Sequence, residues 1–251
     1  MHMRLSRTAA VSLAAVGTLA AVAVVAVVAD SVAASRVEAD LSAVIRPETP
    51  GVRAPAVTVG GGPFGRWSGD DRLASVSVRV EGVDRPGLGP VTVEAAAADV
   101  DVPGRRTGPL TAAETTVTVL VTGDALGRAL GLRDALVAAA GDPSLAGGNE
   151  HRARVTGTVD GTDTRVSAFV DLVVDDRGAH LVPVAPATGP AGVPDQDPGL
   201  ALARTALTLE PDVLPLGLAV ESLTVRGGTV SATGTGGPGT APLDDLARPG
   251  H

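Results

Sequence analysis

The sequence predicts an α+β fold: a mostly antiparallel β-sheet body with a few helices, behind an N-terminal transmembrane or signal helix. Three observations predict it. Short aliphatic runs alternate with polar residues at period 2 through most of the chain. Glycine and proline, 32 and 19 of the 251 residues, break those runs into turns. A basic leader is followed by a long stretch free of charge.

The leader carries Arg4 and Arg7, and no residue from Thr8 to Ala29 is charged. A helix of that length spans about 33 Å, enough for a hydrocarbon core of about 30 Å. The segment 1–29 therefore reads as an uncleaved signal anchor. The small residues before Asp30 also allow cleavage as a signal peptide. With the basic flank cytoplasmic, residues 30–251 lie on the extracytoplasmic side.

From Asp30 to Arg46 the pattern is helical. Val37, Leu41, Val44 and Ile45 fall on one face, and Pro47 and Pro50 end the helix. Strands follow at Val57–Val59, Val76–Val80, Val91–Val93, Val117–Val121, Val155–Val159, Val166–Val174, Leu181–Val184, Val220–Val225 and Val230–Thr233. Their alternation gives each one apolar and one wet face, the pattern of an antiparallel sheet. Two further helices are expected, from Asp124, as N-cap, to Ala140 and from Gly199 to Leu209. The five prolines of Pro183–Pro198 suggest an extended connection. Residues 236–251, rich in Gly, Pro and Asp, read as a disordered tail. Nothing divides the body 30–235 into two domains.

The composition excludes several kinds of chemistry. There is no cysteine, hence no disulfide, thiolate metal site or cysteine nucleophile. There is no lysine either, hence no Schiff base and no P-loop. Phe64, Trp67 and Phe169 are the only aromatic residues, and the net charge is −8. Both features argue against nucleic-acid binding. An acidic body repels anionic membrane surfaces at long range, so contact with an anionic lipid must be local, through placed arginines.

No nucleophile elbow is present, and the four histidines show no zinc-ligand spacing, so no metal is expected. The acidic pairs Asp70-Asp71, Asp99 with Asp101, Asp160 with Asp163 and Asp175-Asp176 fall at turns, where aspartate bonds its own backbone. Two Gly-x-Gly-x-x-Gly strings, at Gly60 and Gly234, lack a following helix and read as turns.

Two motifs stand out. One is Pro55-Ala56-Val57-Thr58-Val59-Gly60-Gly61-Gly62-Pro63-Phe64. The other is Leu214-Pro215-Leu216-Gly217-Leu218, which leads into the stretch Val220–Gly234 with its Ala232-Thr233-Gly234 ending. With the anchor and the amphipathic helix, they resemble the LmeA-like family of actinobacterial envelope proteins over roughly residues 30–235. Gly62 stands where that family commonly has an aromatic residue.

The resemblance implies phospholipid binding and a fold similar to tubular lipid-binding domains, a curved antiparallel sheet wrapped around a helix. It implies no cofactor and no enzymatic reaction. Small aliphatic side chains suit such a role, since Val and Ala line a groove that large rings would fill. The expected lipid-binding residues are Val37, Leu41, Val57, Val59, Phe64, Trp67, Val78, Val170, Leu216 and Leu218. Phe64 reads as core or groove lining, and Trp67 as membrane contact or packing. Arg66 and Arg72 flank that loop, as solvated surface residues or as phosphate ligands. The expected partners are a phospholipid and the membrane. The rival readings are a structural or interaction β-domain of the envelope with a solid core, and a hydrolase using paired carboxylates.

Overall fold

The computed structural model describes residues 31, 34–36, 38–43, 53–60, 72–101, 110–141, 149–188 and 192–248. The expected signal anchor lies outside the described residues, as do Val37, Phe64, Arg66 and Trp67. Among the described residues, no helix is long and apolar enough to cross a membrane.

Two antiparallel sheets form the body. The first has eight strands and curls into a half-barrel. Its main path runs β1 (Ala56–Gly60), β2 (Arg72–Arg85), β3 (Gly89–Asp101), β5 (Glu114–Thr122), β12 (Thr229–Gly236) and β11 (Ser222–Arg226). Off this path, β13 (Gly239–Ala241) pairs with β4 (Leu110–Ala112), which also touches β3. The second sheet is ordered β10 (Leu207–Thr208), β9 (Gly178–Pro186), β8 (Arg165–Asp175), β7 (Asn149–Val159) and β6 (Leu132–Ala140). The helices are α1, the helical residues described between 31 and 43, α2 (Gly123–Leu130) and α3 (Pro198–Ala203).

Period-2 patterning decides which face of the first sheet is buried. Register places Val57, Val78, Ala95, Val117 and Gly234 in one row across β1, β2, β3, β5 and β12. The next row is Val80, Val93, Val119, Ala232 and Leu223, all buried. On the other face the matching row is Arg79, Glu94, Thr118, Thr233 and Ser222. Each fully buried valine or leucine stabilises the fold by about 1.5–3 kcal/mol. One apolar cluster joins the inner faces of both sheets. β11 lies across β6, β7 and β8, where Arg226 pairs with Glu150 and His151 Nδ1 sits 3.3 Å from the Leu223 carbonyl oxygen.

The β1 edge is closed by α1. The Val59 N–H donates to Glu38 Oε1 at 3.2 Å, and Ser42 Oγ donates to the Pro55 carbonyl at 3.0 Å. These bonds occupy backbone groups that an open edge would offer to another chain. Leu41 enters the core at 1% exposure.

Several expectations are corrected. The helix expected from Asp124 to Ala140 ends at Leu130, where Gly131 takes the left-handed conformation (φ 65°) and caps it. Leu132–Ala140 is instead a strand whose alternation is interrupted at Asp134 (φ 53°), with a register shift between Arg133 and Leu136. That irregularity spaces the aliphatics like a helix, yet Leu136 is 64% exposed. α2 folds back on β6 because Gly127 has no side chain; a Cβ there would lie 2.6 Å from the Leu132 carbonyl oxygen.

The helix expected over Gly199–Leu209 runs only from Pro198 to Ala203, capped by Asp197, and Leu207–Thr208 pairs with β9. The connection expected over Pro183–Pro198 begins later, since β9 continues to Pro186. Of the segment 236–251, expected to be disordered, the described residues 236–248 include β13 and a 3-10 turn at Leu243–Ala247. Thr240 pairs with Thr111, and Leu246 is buried at 1% exposure. An apolar residue among the glycines and prolines supplies the burial that composition alone does not show. Of the helices, α2 and α3 have only eight and six residues, and the body is mostly antiparallel sheet.

Candidate functional site

The Leu-Pro-Leu-Gly-Leu motif is a turn laid onto the inner face of the first sheet. Pro215–Gly217 forms a single 3-10 turn, closed by Leu218 N–H donating to the Pro215 carbonyl at 3.4 Å. Leu216 and Gly217 both have positive φ, 62° and 66°. For leucine that conformation is strained by about 1–2 kcal/mol. The sheet beneath is cleared by glycines. A Cβ on Gly234 would lie 2.2 Å from the Ala219 carbonyl oxygen and 2.7 Å from Leu214 Cδ1, and one on Gly236 3.1 Å from Leu218 Cδ2. The two motifs share the inner face of one sheet, at opposite ends of the row that runs from Val57 to Gly234.

A cavity of about 350 Å³ opens beside this turn. Leu214, Pro215, Leu216 and Pro242 supply its apolar wall, and Arg85, Asp212, Asp245 and Arg248 its charges. Arg248 pairs with Asp245 at 2.6 Å. Arg85, the last residue of β2, is 5% exposed, and its Nε and Nη2 have no hydrogen-bond partner. Burial pulls its guanidinium below the usual arginine range, and the attraction of Asp212 opposes this. An unsatisfied buried donor costs about 1–3 kcal/mol, and more when it is charged.

The sequence does not single out Arg85, yet its phase marks it. Gly82 (φ 81°) sits at a register shift between Glu81 and Val83, which moves the buried positions from Val78 and Val80 to Val83 and Arg85.

A second hollow, of about 360 Å³, lies on the polar face of the same sheet, beside Thr58, Ser77, Arg79, Glu94 and Thr116. Its arginine is engaged: Arg79 Nη1 donates to Glu94 Oε1 at 2.5 Å. Arg72, expected as a surface residue or a phosphate ligand, is exposed and pairs with Asp101 at 2.6 Å. Asp175 accepts the Arg177 N–H at 2.8 Å, as turn aspartates do, whereas Asp163 pairs with the distant Arg133 side chain at 2.9 Å. Among the described residues, no three His, Asp or Glu side chains converge on a metal position.

Of the expected lipid-binding residues, Leu41, Val59, Val78 and Val170 are buried in the common core. Val57, Leu216 and Leu218 are half-buried and pack against it. Val57 and Val78 are direct cross-strand partners, and Leu216 lines the cavity beside Arg85.

The sequence matches the LmeA-like phospholipid-binding family over residues 28–235. The chain belongs to that family. No curated protein and no solved structure matches it. The family is described by binding and not by catalysis. Its match covers α1, the turn at Leu214–Leu218 and both sheets through most of β12. The cavity extends beyond it, since Thr240, Pro242, Asp245 and Arg248 follow residue 235.

Proposed function

We propose that this chain is a membrane-anchored, extracytoplasmic phospholipid-binding protein that holds acyl chains against its apolar interior, with the headgroup at the rim. Its membership of a phospholipid-binding family carries the reading. The turn at Leu214–Leu218 is the entrance we favour. It joins the half-buried Leu216 and Leu218, which pack against the core, to a cavity that Leu214 and Leu216 line. We take Leu41, Val57, Val59, Val78, Val170, Leu216 and Leu218 as the acyl-chain wall, and Val37, Phe64 and Trp67, outside the described residues, as the remaining candidates.

The driving force is burial. Each CH₂ moved out of water contributes about 0.8 kcal/mol, so a sixteen-carbon chain has a gross gain on the order of ten kcal/mol. Association and ordering offset much of it. Binding is passive and needs no cofactor. The anchor keeps the domain at the bilayer, where a high local concentration favours lipid exchange. This supports a role in lipid transfer or in envelope lipid metabolism.

One observation favours the rival, a structural envelope domain without a lipid cavity: Val80, Val93, Val117 and Val170 are completely buried in a shared core. Under the lipid reading, the turn must part from the sheet to admit a chain. Organic extraction of the purified protein, read by mass spectrometry, separates the two. The lipid reading expects co-purified phospholipid and uptake of a labelled phospholipid from vesicles. Recovery of none, with no uptake, leaves the structural reading.

A further inference from the structure

We propose that Arg85 is the phosphate ligand of the cavity at the Leu214–Leu218 turn, holding the phosphodiester of a phospholipid headgroup through Nε and Nη2. The inference rests on the lipid-binding reading and adds to it the place and chemistry of headgroup recognition.

Nε and Nη2 lie on one side of the guanidinium, and their N–H bonds run parallel, the geometry that grips two oxygens of one phosphate. These are the two nitrogens left without partners. Both are shut off from solvent in a side chain 5% exposed, so a phosphate reaches them only once the turn at Leu214–Leu218 parts from the sheet, as entry of an acyl chain also requires. Asp212 attracts the guanidinium without accepting a hydrogen bond from either of them. The other arginine of the cavity, Arg248, is paired with Asp245. The buried fork is therefore a charged donor pair that lacks an acceptor among the described residues.

The surroundings select the ligand. Leu214 and Leu216 line the same cavity, so a phosphate held at Arg85 brings its glycerol and acyl portion against apolar carbon. Asp212 is exposed beside it and repels extra negative charge, so a singly charged phosphodiester fits better than a doubly charged phosphomonoester.

The test uses the full-length protein with vesicles of phosphatidylglycerol, phosphatidic acid or diacylglycerol, and with inorganic phosphate alone. Bound lipid is read by native mass spectrometry and lipid-free stability by thermal melting. The wild type should take up phosphatidylglycerol in preference to phosphatidic acid. Arg85→Gln should lose phosphatidylglycerol at least tenfold, leave diacylglycerol uptake unchanged, and melt no lower than the wild type, because an uncompensated buried charge has been removed. Arg85→Lys keeps the charge but not the fork, and should bind phosphatidylglycerol several-fold more weakly. It remains readable if the glutamine variant does not fold.

Wild-type uptake of phosphatidylglycerol by either variant overturns the assignment of Arg85 while leaving lipid binding intact. An Arg85-dependent rise in melting temperature with inorganic phosphate, without any Arg85 dependence of lipid uptake, makes this a free-phosphate site and overturns the headgroup assignment. Equal uptake of phosphatidic acid overturns the role of Asp212. A wild type that binds none of the lipids sinks the family-based reading itself.

Discussion

Arg85 and Asp171 show what a partner does for a charge. Arg85 has lost water without gaining an acceptor on Nε or Nη2. Asp171, across β7 and β8, accepts from Arg152 Nε at 2.5 Å and Nη2 at 3.0 Å. The hydrogen bonds from Arg152 hold the Asp171 carboxyl below its usual range, against the opposing pull of desolvation. Its folded-state pKa is thus lower than the unfolded value of about 4. The stabilisation is complete above that value and is lost as the pH falls through the folded one. Because the Arg152 and Asp171 side chains are 43% and 36% exposed, solvent screens the pair and the contribution is small. Asp171→Asn should lower stability slightly at pH 7 and progressively less as the pH falls below about 4, which flattens the acid limb. Urea melts across pH read this directly, and an acid limb as steep as that of the wild type would contradict it.

At the level of elements, the turn at Leu214–Leu218 and β12 are matched surfaces. The turn holds a leucine in the left-handed region, and the strand supplies glycines where the turn comes down. The strain at Leu216 is tolerated because packing on either side over-determines the backbone. A methyl group at Gly234 meets a backbone carbonyl, which cannot swing aside as a side chain would. Gly234→Ala should therefore destabilise the fold by about 1–3 kcal/mol, seen as a lower denaturant midpoint. If the alanine variant were as stable as the wild type, the turn would not be seated on the strand in solution.

For the whole molecule, the C-terminal segment is a wall and not a tail. β13 extends β4, and the 3-10 turn that follows packs near β2 and β3 and contributes Asp245 to the cavity. Leu246 is its apolar anchor. Leu246→Ala should cost about 2–4 kcal/mol if the cavity left behind does not collapse, and should weaken lipid uptake together with stability. Calorimetry of the full chain checks the first effect, and an unchanged melting temperature would show that the segment is dispensable to the fold.

The β-rich character, the positions of the longer strands other than β6 and the two motifs were legible in the sequence, because period-2 alternation and glycine-rich turns are local signals. β6 was misread because the irregularity at Asp134 shifts the phase of its aliphatics, and a shifted strand imitates a helix. The C-terminal segment was misread because its order comes from pairing with β4, far back in the chain. Phospholipid binding was legible only through the resemblance carried by the two motifs; hydrophobic spacing alone does not tell a groove from a core. Arg85 needed the fold. An arginine at the end of a strand reads as a solvated charge until the register shift near Gly82 turns it inward and residues from the chain's far end close over it. Local pattern sets which residues can be buried, whereas the packing of distant segments decides which polar group is buried with them.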